Sequence, residues 1–294
     1  MKEYFKISAK KYDPSKDFYI YRAASLANPK DNSVMFITEK YSDKMEQFLL
    51  CSDCLVFWPQ KIKVPAEIRR RHIVYECKDP RKNYCLFFRD NNITYYPPVE
   101  EVALVHGAYV AKNAKVGDNC RILPGAYIGG EVEIGDDCYI GAGVCLVGEV
   151  HIGSRVVIRE NTVIGADGLS TNRDEQGKSI TMPQFGGVVI EDDVQIGALT
   201  VIGRGAIDNT IIKRGARIDN STFISHNVVV GEDTFIVGES ILFGSSSTGE
   251  CAFISGNATI RDGKHIGARA KVGMGAVVVK DVDDGAVVKG NPAR

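Results

Sequence analysis

Aliphatic residues recur at every sixth position through the last two thirds of the chain. Counting in steps of six meets an aliphatic residue each time from Leu104 to Ile164, and further runs of the same period start at Ile190 and Ile212. Of the 26 positions counted, 25 are aliphatic, and Thr248 is the exception. A helix repeats about every 3.6 residues and a simple strand about every 2, so neither accounts for this period. The pattern predicts a β-helix of hexapeptide repeats.

Each hexapeptide is expected to form a short strand and a turn, with its aliphatic residue pointing inward. Many of the aliphatic residues are followed by glycine, which lets the backbone bend. Three units close one triangular coil, so residues about 18 apart stack on neighbouring coils at roughly 4.8 Å, the spacing of paired strands. Cys120 and Cys138 are separated in this way, which favours a buried structural pair over a redox pair.

Two interruptions break the period. Residues 165–189 are polar and rich in glycine, and the segment is too long for a coil corner, so we expect an excursion loop. Loops of this length in a compact array are usually functional. The spacing from Ile202 to Ile212 is ten instead of six, so the register slips around Arg204–Thr210. A shaped site and a purely structural bulge are both open interpretations of that slip.

Composition divides the chain near the start of the repeat. Residues 1–99 contain no glycine and hold 17 of the 25 aromatic residues, whereas all 30 glycines lie from Gly107 onward. Residues 1–99 carry 18 Lys and Arg against 12 Asp and Glu, a charge of about +6, and the remainder is about −7. We therefore predict two domains, 1–99 and 100–294, with a boundary near Pro97-Pro98. The positive charge of the first domain indicates that it meets anionic ligands.

The first domain has the pattern of a small α/β unit. Apolar runs rich in β-branched and aromatic residues at Cys54–Trp58 and His72–Cys77 predict strands. Asp43–Leu50 has a helical pattern. The chain as a whole is therefore expected to be mainly β, with a β-helix preceded by this smaller domain.

Composition and motifs exclude several classes of protein. No segment approaches the roughly 18 to 20 apolar residues that a membrane span needs, and the start of the chain lacks the apolar core of a secretory signal. Eight scattered cysteines favour reduced thiols over a disulfide framework, so we expect a cytoplasmic location. The glycine-rich segments show no phosphate-loop or dinucleotide fingerprint, and we expect no nucleic-acid partner.

We expect no metal site. Cys51 and Cys54 form a single Cys-x-x-Cys motif without a second pair or a nearby histidine. Metal-ligand spacing is also missing among four of the five histidines, His72, His106, His151 and His265.

The chain resembles the left-handed β-helix acyltransferases in four stretches, which are Ile164–Gly168, Pro183-Gln184, Ile218–Asn220 and Ser225–Val229. Within that group the chain resembles the UDP-3-O-acylglucosamine N-acyltransferases of lipid A biosynthesis, because Ser225–Val229 is similar to the signature around their catalytic histidine. The resemblance implies a left-handed parallel β-helix and a UDP-linked amino sugar as acceptor.

The first domain carries part of the same resemblance. Phe36–Tyr41 is similar to the uridine-contacting segment of that family, and Asp79–Arg81 with Tyr84 is similar to a later segment. The resemblance implies substrate-binding roles for Phe36, Tyr41, Asp167 and Gln184.

Three features depart from the family pattern. The family spaces its two uracil-contacting aromatic residues one residue farther apart than Phe36 and Tyr41, and it usually has aspartate where this chain has Gly203. The sequence stops at Gly290–Arg294, which resembles the ending of acetyl-CoA-using relatives and lacks the C-terminal helices that lipid A enzymes use against acyl carrier protein. This ending keeps a coenzyme A donor open.

His226 is the candidate general base. Acyl transfer from a thioester needs a base for the incoming nucleophile and dipoles that hold the oxyanion, and histidine suits the first task at neutral pH. Gly244 lies 18 residues after His226 and one coil away, so its backbone N–H is a candidate oxyanion donor. Asn227 and Asp219 are candidates to orient the imidazole, and Asp219 is equally well explained as a corner residue.

The leading hypothesis is an acyltransferase that moves an acyl group from an acyl-carrier-protein or coenzyme A thioester to the amine of a UDP-linked amino sugar, without a tightly bound cofactor. One alternative is an acetyl-CoA-dependent sugar N- or O-acetyltransferase, and another is a non-catalytic trimeric scaffold that binds nucleotide sugars. A single β-helix leaves a flat face that cannot enclose two substrates. We therefore expect a homotrimer with active sites between neighbours, as the resemblance also implies, and acyl carrier protein as a further candidate partner.

Overall fold

The structure, a computed structural model, describes residues 3–94 and 100–292, so the expected boundary near Pro97-Pro98 lies outside the described residues. The chain separates into two compact units. The first unit comprises the described residues of Met1–Tyr96 together with Leu169–Phe185. The second comprises the described residues of Pro97–Gly168 and Gly186–Arg294.

The second unit is a parallel β-helix with three faces. The first face contains the strands Arg121–Ile122, Tyr139–Ile140, Val157–Ile158, Gln195–Ile196, Arg217–Ile218, Phe235–Ile236, Phe253–Ile254, Lys271–Val272 and Val287–Val288. The second face contains Val102–Val105, Ala108–Ala111, Tyr127–Ile128, Cys145–Leu146, Val163–Ala166, Val201–Gly203, Phe223–Ile224, Ile241–Leu242, Thr259–Ile260 and Val277–Val278. The third face contains Lys115–Val116, Val132–Ile134, Val150–Ile152, Val188–Ile190, Thr210–Ile212, Val229–Val230, Ser247–Thr248 and His265–Ile266.

Strand register follows the period of the sequence. Ile128 pairs with Leu146, which lies 18 positions later. The two interruptions lengthen a coil without breaking the pairing, because Ile152 pairs with Ile190 and Ile190 pairs with Ile212. At both interruptions the extra residues lie between a strand of the second face and the next strand of the third face, outside the triangular prism that the three faces form. They therefore share one edge of the prism, which we call the insertion edge.

The aliphatic positions of the repeat fill the interior from Ile128 onward. Leu104, the first position counted, is an exception, since its side chain is 68% exposed. The strand Val102–Val105 runs antiparallel to Ala108–Ala111 and pairs Leu104 with Tyr109, so the chain enters the prism through a hairpin. The prediction that the six-residue period starts in the core at Leu104 was wrong for this reason, and the coils begin at Ala108.

Cys120 and Cys138 occupy stacked corner positions, next to the paired residues Arg121 and Tyr139. The Cys138 thiol is buried and lies 3.2 Å from the carbonyl oxygen of Gly153. Burial raises the pKa of this thiol to about 11, which keeps it protonated and unreactive at neutral pH. Cys120 is half-buried. These contacts agree with a structural role for the pair.

Thr248, the one polar residue among the counted positions, has a hydrogen-bonding role in the core. It is buried, and its hydroxyl Oγ1 accepts a hydrogen bond of 2.9 Å from the backbone N–H of Gly231. It also lies 3.3 Å from the hydroxyl of Thr234. Valine has the same shape but would leave the Gly231 N–H buried without this acceptor.

We expect Thr248→Val to lower the free energy of unfolding by about 1–3 kcal/mol, although it restores an aliphatic residue to the repeat. Urea unfolding followed by circular dichroism measures the change. Thr259→Val, in a strand position that is not in the core, is the matched control and should change the value by less than about 0.5 kcal/mol. A stabilised Thr248→Val variant would contradict the role given to the hydroxyl.

The first unit contains a four-stranded parallel sheet formed by Arg22–Ala23, Ser33–Phe36, Leu55–Pro59 and Ile73–Cys77. Its helical segments are the 3₁₀ segments Ala9–Lys11 and Glu39–Leu50 and the α-helices Ala66–Arg71 (α1) and Pro80–Asp90 (α2). A separate antiparallel pair joins Ile7–Ser8 to Tyr19–Ile20. The two expected strands and the expected helical segment are therefore present in a small α/β unit. In the part of the chain that the structure describes, no helix has the length and apolar character required to cross a bilayer.

The excursion is an antiparallel hairpin rather than an irregular loop. Thr171–Arg173 pairs with Ser179–Thr181, and Leu169–Phe185 groups with the first unit. The Phe185 ring packs against Phe5 and Phe88 at centroid distances of 5.9 and 5.4 Å. The sequence assigned all of 165–189 to the second domain, and these aromatic contacts are the reason for the difference.

Candidate active site

His226 lies on the insertion edge, two residues after the core position Ile224. Because Ile224 pairs with Leu242, the residue at the equivalent point of the next coil is Gly244. A Cβ atom added to Gly244 would lie 2.6 Å from the imidazole Nε2, and one added to Gly168 would lie 3.0 Å from Cδ2. The half-buried imidazole is therefore accommodated by two glycines, and the coil geometry expected for Gly244 brings it to the ring.

Asn227 fixes the tautomer of His226. The Asn227 side-chain oxygen accepts a hydrogen bond from the N–H of Ala206 at 3.0 Å, and its amide nitrogen donates to the carbonyl of Asp208 at 2.7 Å. This oxygen also lies 3.2 Å from Nδ1 of His226. An amide oxygen can only accept, so the network assigns the proton to Nδ1 and leaves the lone pair on Nε2. The imidazole is thus held in a form whose Nε2 can accept a proton.

Asn227 also holds the register slip in place. It has a left-handed backbone, with φ of 59°, which asparagine adopts more readily than most residues. Its N–H donates to the Thr210 hydroxyl at 2.9 Å. With the side-chain contacts to Ala206 and Asp208, one residue connects the imidazole to both the middle and the end of the slip.

We expect Asn227→Ala to lower kcat by about 10- to 10²-fold, because the imidazole loses both its orientation and its tautomer restraint. Asn227→Asp keeps an oxygen acceptor and should retain more activity than the alanine variant. Asn257→Ala is the matched control, since Asn257 has a similar φ of 56° at another corner. Steady-state kinetics that separate kcat from KM test this prediction, and equal losses for Asn227→Ala and Asn257→Ala would assign the effect to backbone strain.

Arg204, which the sequence identified only as the start of the slip, is a structural residue of this edge. It occupies the point equivalent to His226 one coil earlier, and it is buried. Its N–H donates to the carbonyl of Ala166 at 2.9 Å, and its Nε donates to the carbonyl of Gly186 at 2.7 Å. Arg204 therefore ties together the two points where the excursion leaves and rejoins the second unit. The broken six-residue spacing was the signal that could have identified it.

Asp167 lies at the start of the excursion. Desolvation by the surrounding protein raises the pKa of its carboxyl group, and the Arg204 guanidinium acts in the opposite direction. The guanidinium is thus near enough to influence the carboxylate electrostatically. Asp167 is exposed and available to a polar ligand.

Asp219 makes other contacts than those expected of an imidazole-orienting residue. Its Oδ1 accepts from the N–H of Asn220 at 2.8 Å, and its Oδ2 accepts from the N–H of Gly238 at 3.2 Å. It follows a strand of the first face, where it contributes to a surface cavity of about 390 Å³ that also contains Arg159 and Phe235. The contacts support the interpretation of Asp219 as a corner residue, and Asn227 is the residue that contacts the imidazole.

Phe36 and Tyr41 have different surroundings in the first unit. The Phe36 ring packs against the buried Tyr84 at a centroid distance of 4.9 Å. Tyr41 is 42% exposed, and the ammonium groups of Lys40 and Lys44 lie 5.2 and 5.8 Å from its ring. Tyr41 is therefore the aromatic residue available for stacking, and the two lysines place positive charge beside it.

Gln184 is a buried amide at the end of the excursion. Only 1% of it is exposed, and within the described residues neither Nε2 nor Oε1 has a hydrogen-bond partner. A buried amide without partners is costly, since each polar atom loses its hydration. Its donor and acceptor are thus unsatisfied within the described residues.

The Cys-x-x-Cys motif has a histidine beside it, contrary to the expectation from spacing. Cys51, Cys54 and His72 are all buried, and their potential ligand atoms lie within 4.8 Å of one another. The sequence missed this arrangement because 18 residues separate Cys54 from His72. The strands Leu55–Pro59 and Ile73–Cys77 pair in parallel, which brings their starting ends together.

Comparison with known proteins agrees with the repeat. The family model described as bacterial transferase hexapeptide (six repeats) matches residues 113–148 and 131–166. A solved UDP-N-acetylglucosamine acyltransferase from Bacteroides fragilis superimposes with a TM-score of 0.59 at 23% identity, over 65% of this chain and 73% of that one. Its counterpart from Campylobacter jejuni gives 0.58 at 19% identity over the same shares. The chain folds as a left-handed parallel β-helix, as the sequence predicted, and residues 113–166 match the hexapeptide repeat.

The curated relatives point to a narrower group of enzymes than the repeat does. A UDP-3-O-acylglucosamine N-acyltransferase from Francisella tularensis subsp. holarctica is 57% identical over 79 residues, which is 27% of this chain and 23% of the relative. The enzyme of the same description from Helicobacter hepaticus is 44% identical over 117 residues, 40% of this chain and 36% of the relative. These relatives confirm the resemblance to UDP-3-O-acylglucosamine N-acyltransferases, and the chain spans less than half the length of each in these matches.

Proposed function

We propose that the protein is an acyltransferase that moves an acyl group from a pantetheine thioester to the amine of a UDP-linked amino sugar, with Nε2 of His226 as the general base. The observation that carries the proposal is the imidazole of fixed tautomer between Gly168 and Gly244. The relatives named UDP-3-O-acylglucosamine N-acyltransferase support the choice of acceptor class.

In the proposed reaction, Nε2 takes a proton from the acceptor amine as the amine nitrogen attacks the thioester carbonyl. A C–N bond forms, and the carbonyl oxygen becomes an oxyanion that the backbone N–H of Gly244 stabilises. The C–S bond then breaks, and the proton on Nε2 passes to the thiolate that leaves. Asn227 accepts from Nδ1–H in each step, so the imidazolium intermediate keeps its orientation.

For the acceptor, we propose that Phe36 and Tyr41 contact uracil and that Asp167 and Gln184 contact polar groups of the substrate. Tyr41 supports this assignment with its exposed ring, and Lys40 and Lys44 provide positive charge that suits a diphosphate. The buried amide of Gln184 supports it with an unused donor and acceptor.

For the donor and the assembly, we propose an acyl carrier protein or coenzyme A thioester as co-substrate and a homotrimer as the working form. A triangular β-helix presents flat faces, so an enclosed site needs a second copy of the chain. Since acyl thioesters and UDP-sugars are made in the cytoplasm, we propose that the reaction takes place there.

The proposal is tested by assaying acyl transfer to a panel of UDP-amino sugars, with acetyl-CoA and a hydroxyacyl carrier protein offered in parallel. Product formation with the carrier protein supports the N-acyltransferase assignment. Product formation with acetyl-CoA alone makes the protein a sugar acetyltransferase. If nucleotide sugars bind but neither donor is consumed, the protein is a binding scaffold and the proposal fails.

A further inference from the structure

Cys51, Cys54 and His72 form a closed cluster in the first unit. Their exposed fractions are 3%, 0% and 2%. Cys51 follows the 3₁₀ segment that ends at Leu50, and the left-handed Asp53, with φ of 55°, turns the chain so that Cys54 faces back towards Cys51. His72 ends α1 and directly precedes the strand that pairs with the one after Cys54. Three separate local structures thus bring two thiols and an imidazole together.

The distance between the two thiols suits a shared metal ion. Sγ of Cys51 lies 3.8 Å from Sγ of Cys54. Two thiolates bound to a tetrahedral Zn²⁺, each at about 2.3 Å, are about 3.8 Å apart. A disulfide instead requires an S–S distance of about 2.05 Å, which would need the two sulfur atoms to move much closer. The two-residue spacing within the motif is also typical of structural zinc sites.

The imidazole of His72 is oriented as a ligand. Its Nε2 lies 2.8 Å from the carbonyl oxygen of Phe48, which can only accept a hydrogen bond, so Nε2 carries the proton. The lone pair is therefore on Nδ1, where it accepts a long hydrogen bond of 3.3 Å from the N–H of Cys54, which a bound metal ion would replace. A metal-bound histidine commonly donates its other N–H to a backbone carbonyl in this way.

We propose that Cys51, Cys54 and His72 bind a structural Zn²⁺ ion that links the segment before the strand Leu55–Pro59 to the end of α1. Two thiolates balance the charge of the ion and the imidazole is neutral, so the buried site has no net charge. Binding releases the two thiol protons to solvent. The fourth coordination position is taken by water or by the carbonyl oxygen of Lys30, which lies 3.3 Å from Sγ of Cys54. The site is separate from the proposed acyl-transfer chemistry.

The test is a metal determination on the full chain, purified with a reducing agent and dialysed against Zn²⁺ and then against buffer. We expect about one zinc ion per chain by inductively coupled plasma mass spectrometry. Cys51→Ser and Cys54→Ser should lose the ion, whereas Cys85→Ser should keep it, because Cys85 is a buried cysteine of the same unit outside the cluster.

A second measurement on the unaltered chain covers the case in which the serine variants fail to fold. Replacing Zn²⁺ by Co²⁺ should give thiolate-to-cobalt charge-transfer absorption and the visible bands of a tetrahedral site. His72→Gln, which can still donate to Phe48, should weaken these bands. A reduced chain that retains no zinc and gives no cobalt spectrum overturns the proposal. So does a mass two hydrogens lower in a peptide that contains both Cys51 and Cys54, since it shows a disulfide.

Discussion

His226→Ala is expected to lower kcat for acyl transfer by about 10²-fold or more, while the β-helix remains folded. The imidazole lies on a corner, outside the aliphatic core, so its removal leaves no core cavity. In the proposed reaction the rate falls because the acceptor amine loses the base that removes its proton. The substitution also leaves the Asn227 oxygen with its bond from Ala206, so that side chain is not left unpaired.

The measurement is steady-state kinetics with the best donor and acceptor from the substrate panel. His151→Ala is the control, since His151 is a partly exposed histidine of the same β-helix that faces Glu133 and Glu149. A general base that acts in the chemical step affects kcat much more than KM. Full activity of His226→Ala would remove this residue from the mechanism and, with it, the proposed role of Asn227.

The sequence was sufficient for most of the β-helix because every coil repeats the same local rule. The inward position of Ile260 follows from counting, and so does the stacking of Gly244 next to His226. The rule failed at Leu104, where the residue type fits the repeat but the chain turns through His106 and Gly107, both with positive φ. Residue type alone does not distinguish a coil from the hairpin that precedes it.

The first unit and the excursion were less predictable because their contacts join distant segments. The packing of Phe185 on Phe5 depends on where the excursion lies, which no local pattern encodes. The approach of His72 to Cys54 likewise depends on the parallel pairing of two strands. Such pairings are set by tertiary packing, so spacing rules for metal ligands missed the cluster.

The role of Asn227 could be raised from the sequence but could not be chosen over that of Asp219. Both residues are polar and lie near His226 along the chain. The choice depends on the slip, whose Ala206 and Asp208 bind the Asn227 amide and fix which atom faces the imidazole. An inserted segment has no repeat to predict its conformation, and here it determines the tautomer of the candidate base.

Gly244→Ala is expected to lower kcat by about 10²-fold, because the added methyl group occupies space that the imidazole now fills. The new Cβ would lie 2.5 Å from Cε1 and 2.6 Å from Nε2 of His226, well inside van der Waals contact. The ring must turn away, and Nε2 then no longer faces the acceptor amine. The backbone N–H is retained in alanine, so the substitution tests the position of the ring rather than the presence of the oxyanion donor.

Gly256→Ala is the matched control for this substitution. Gly256 lies two residues after the core position Ile254, as Gly244 does after Leu242, but an added Cβ would be 3.4 Å from its nearest neighbour, an ordinary contact. We expect it to keep nearly full activity. Its behaviour separates the cost of a methyl group at a coil corner from the cost of displacing the imidazole.

The double variant His226→Ala/Gly244→Ala makes the test specific. If Gly244→Ala acts by displacing the imidazole, it should cost little once the imidazole is gone, so the two losses should not add. Additive losses in kcat would show that Gly244 affects the reaction by a route independent of His226, such as a shift of its own N–H. An active Gly244→Ala single variant would contradict the placement of Nε2 as the base, because the ring cannot keep its present position beside a methyl group.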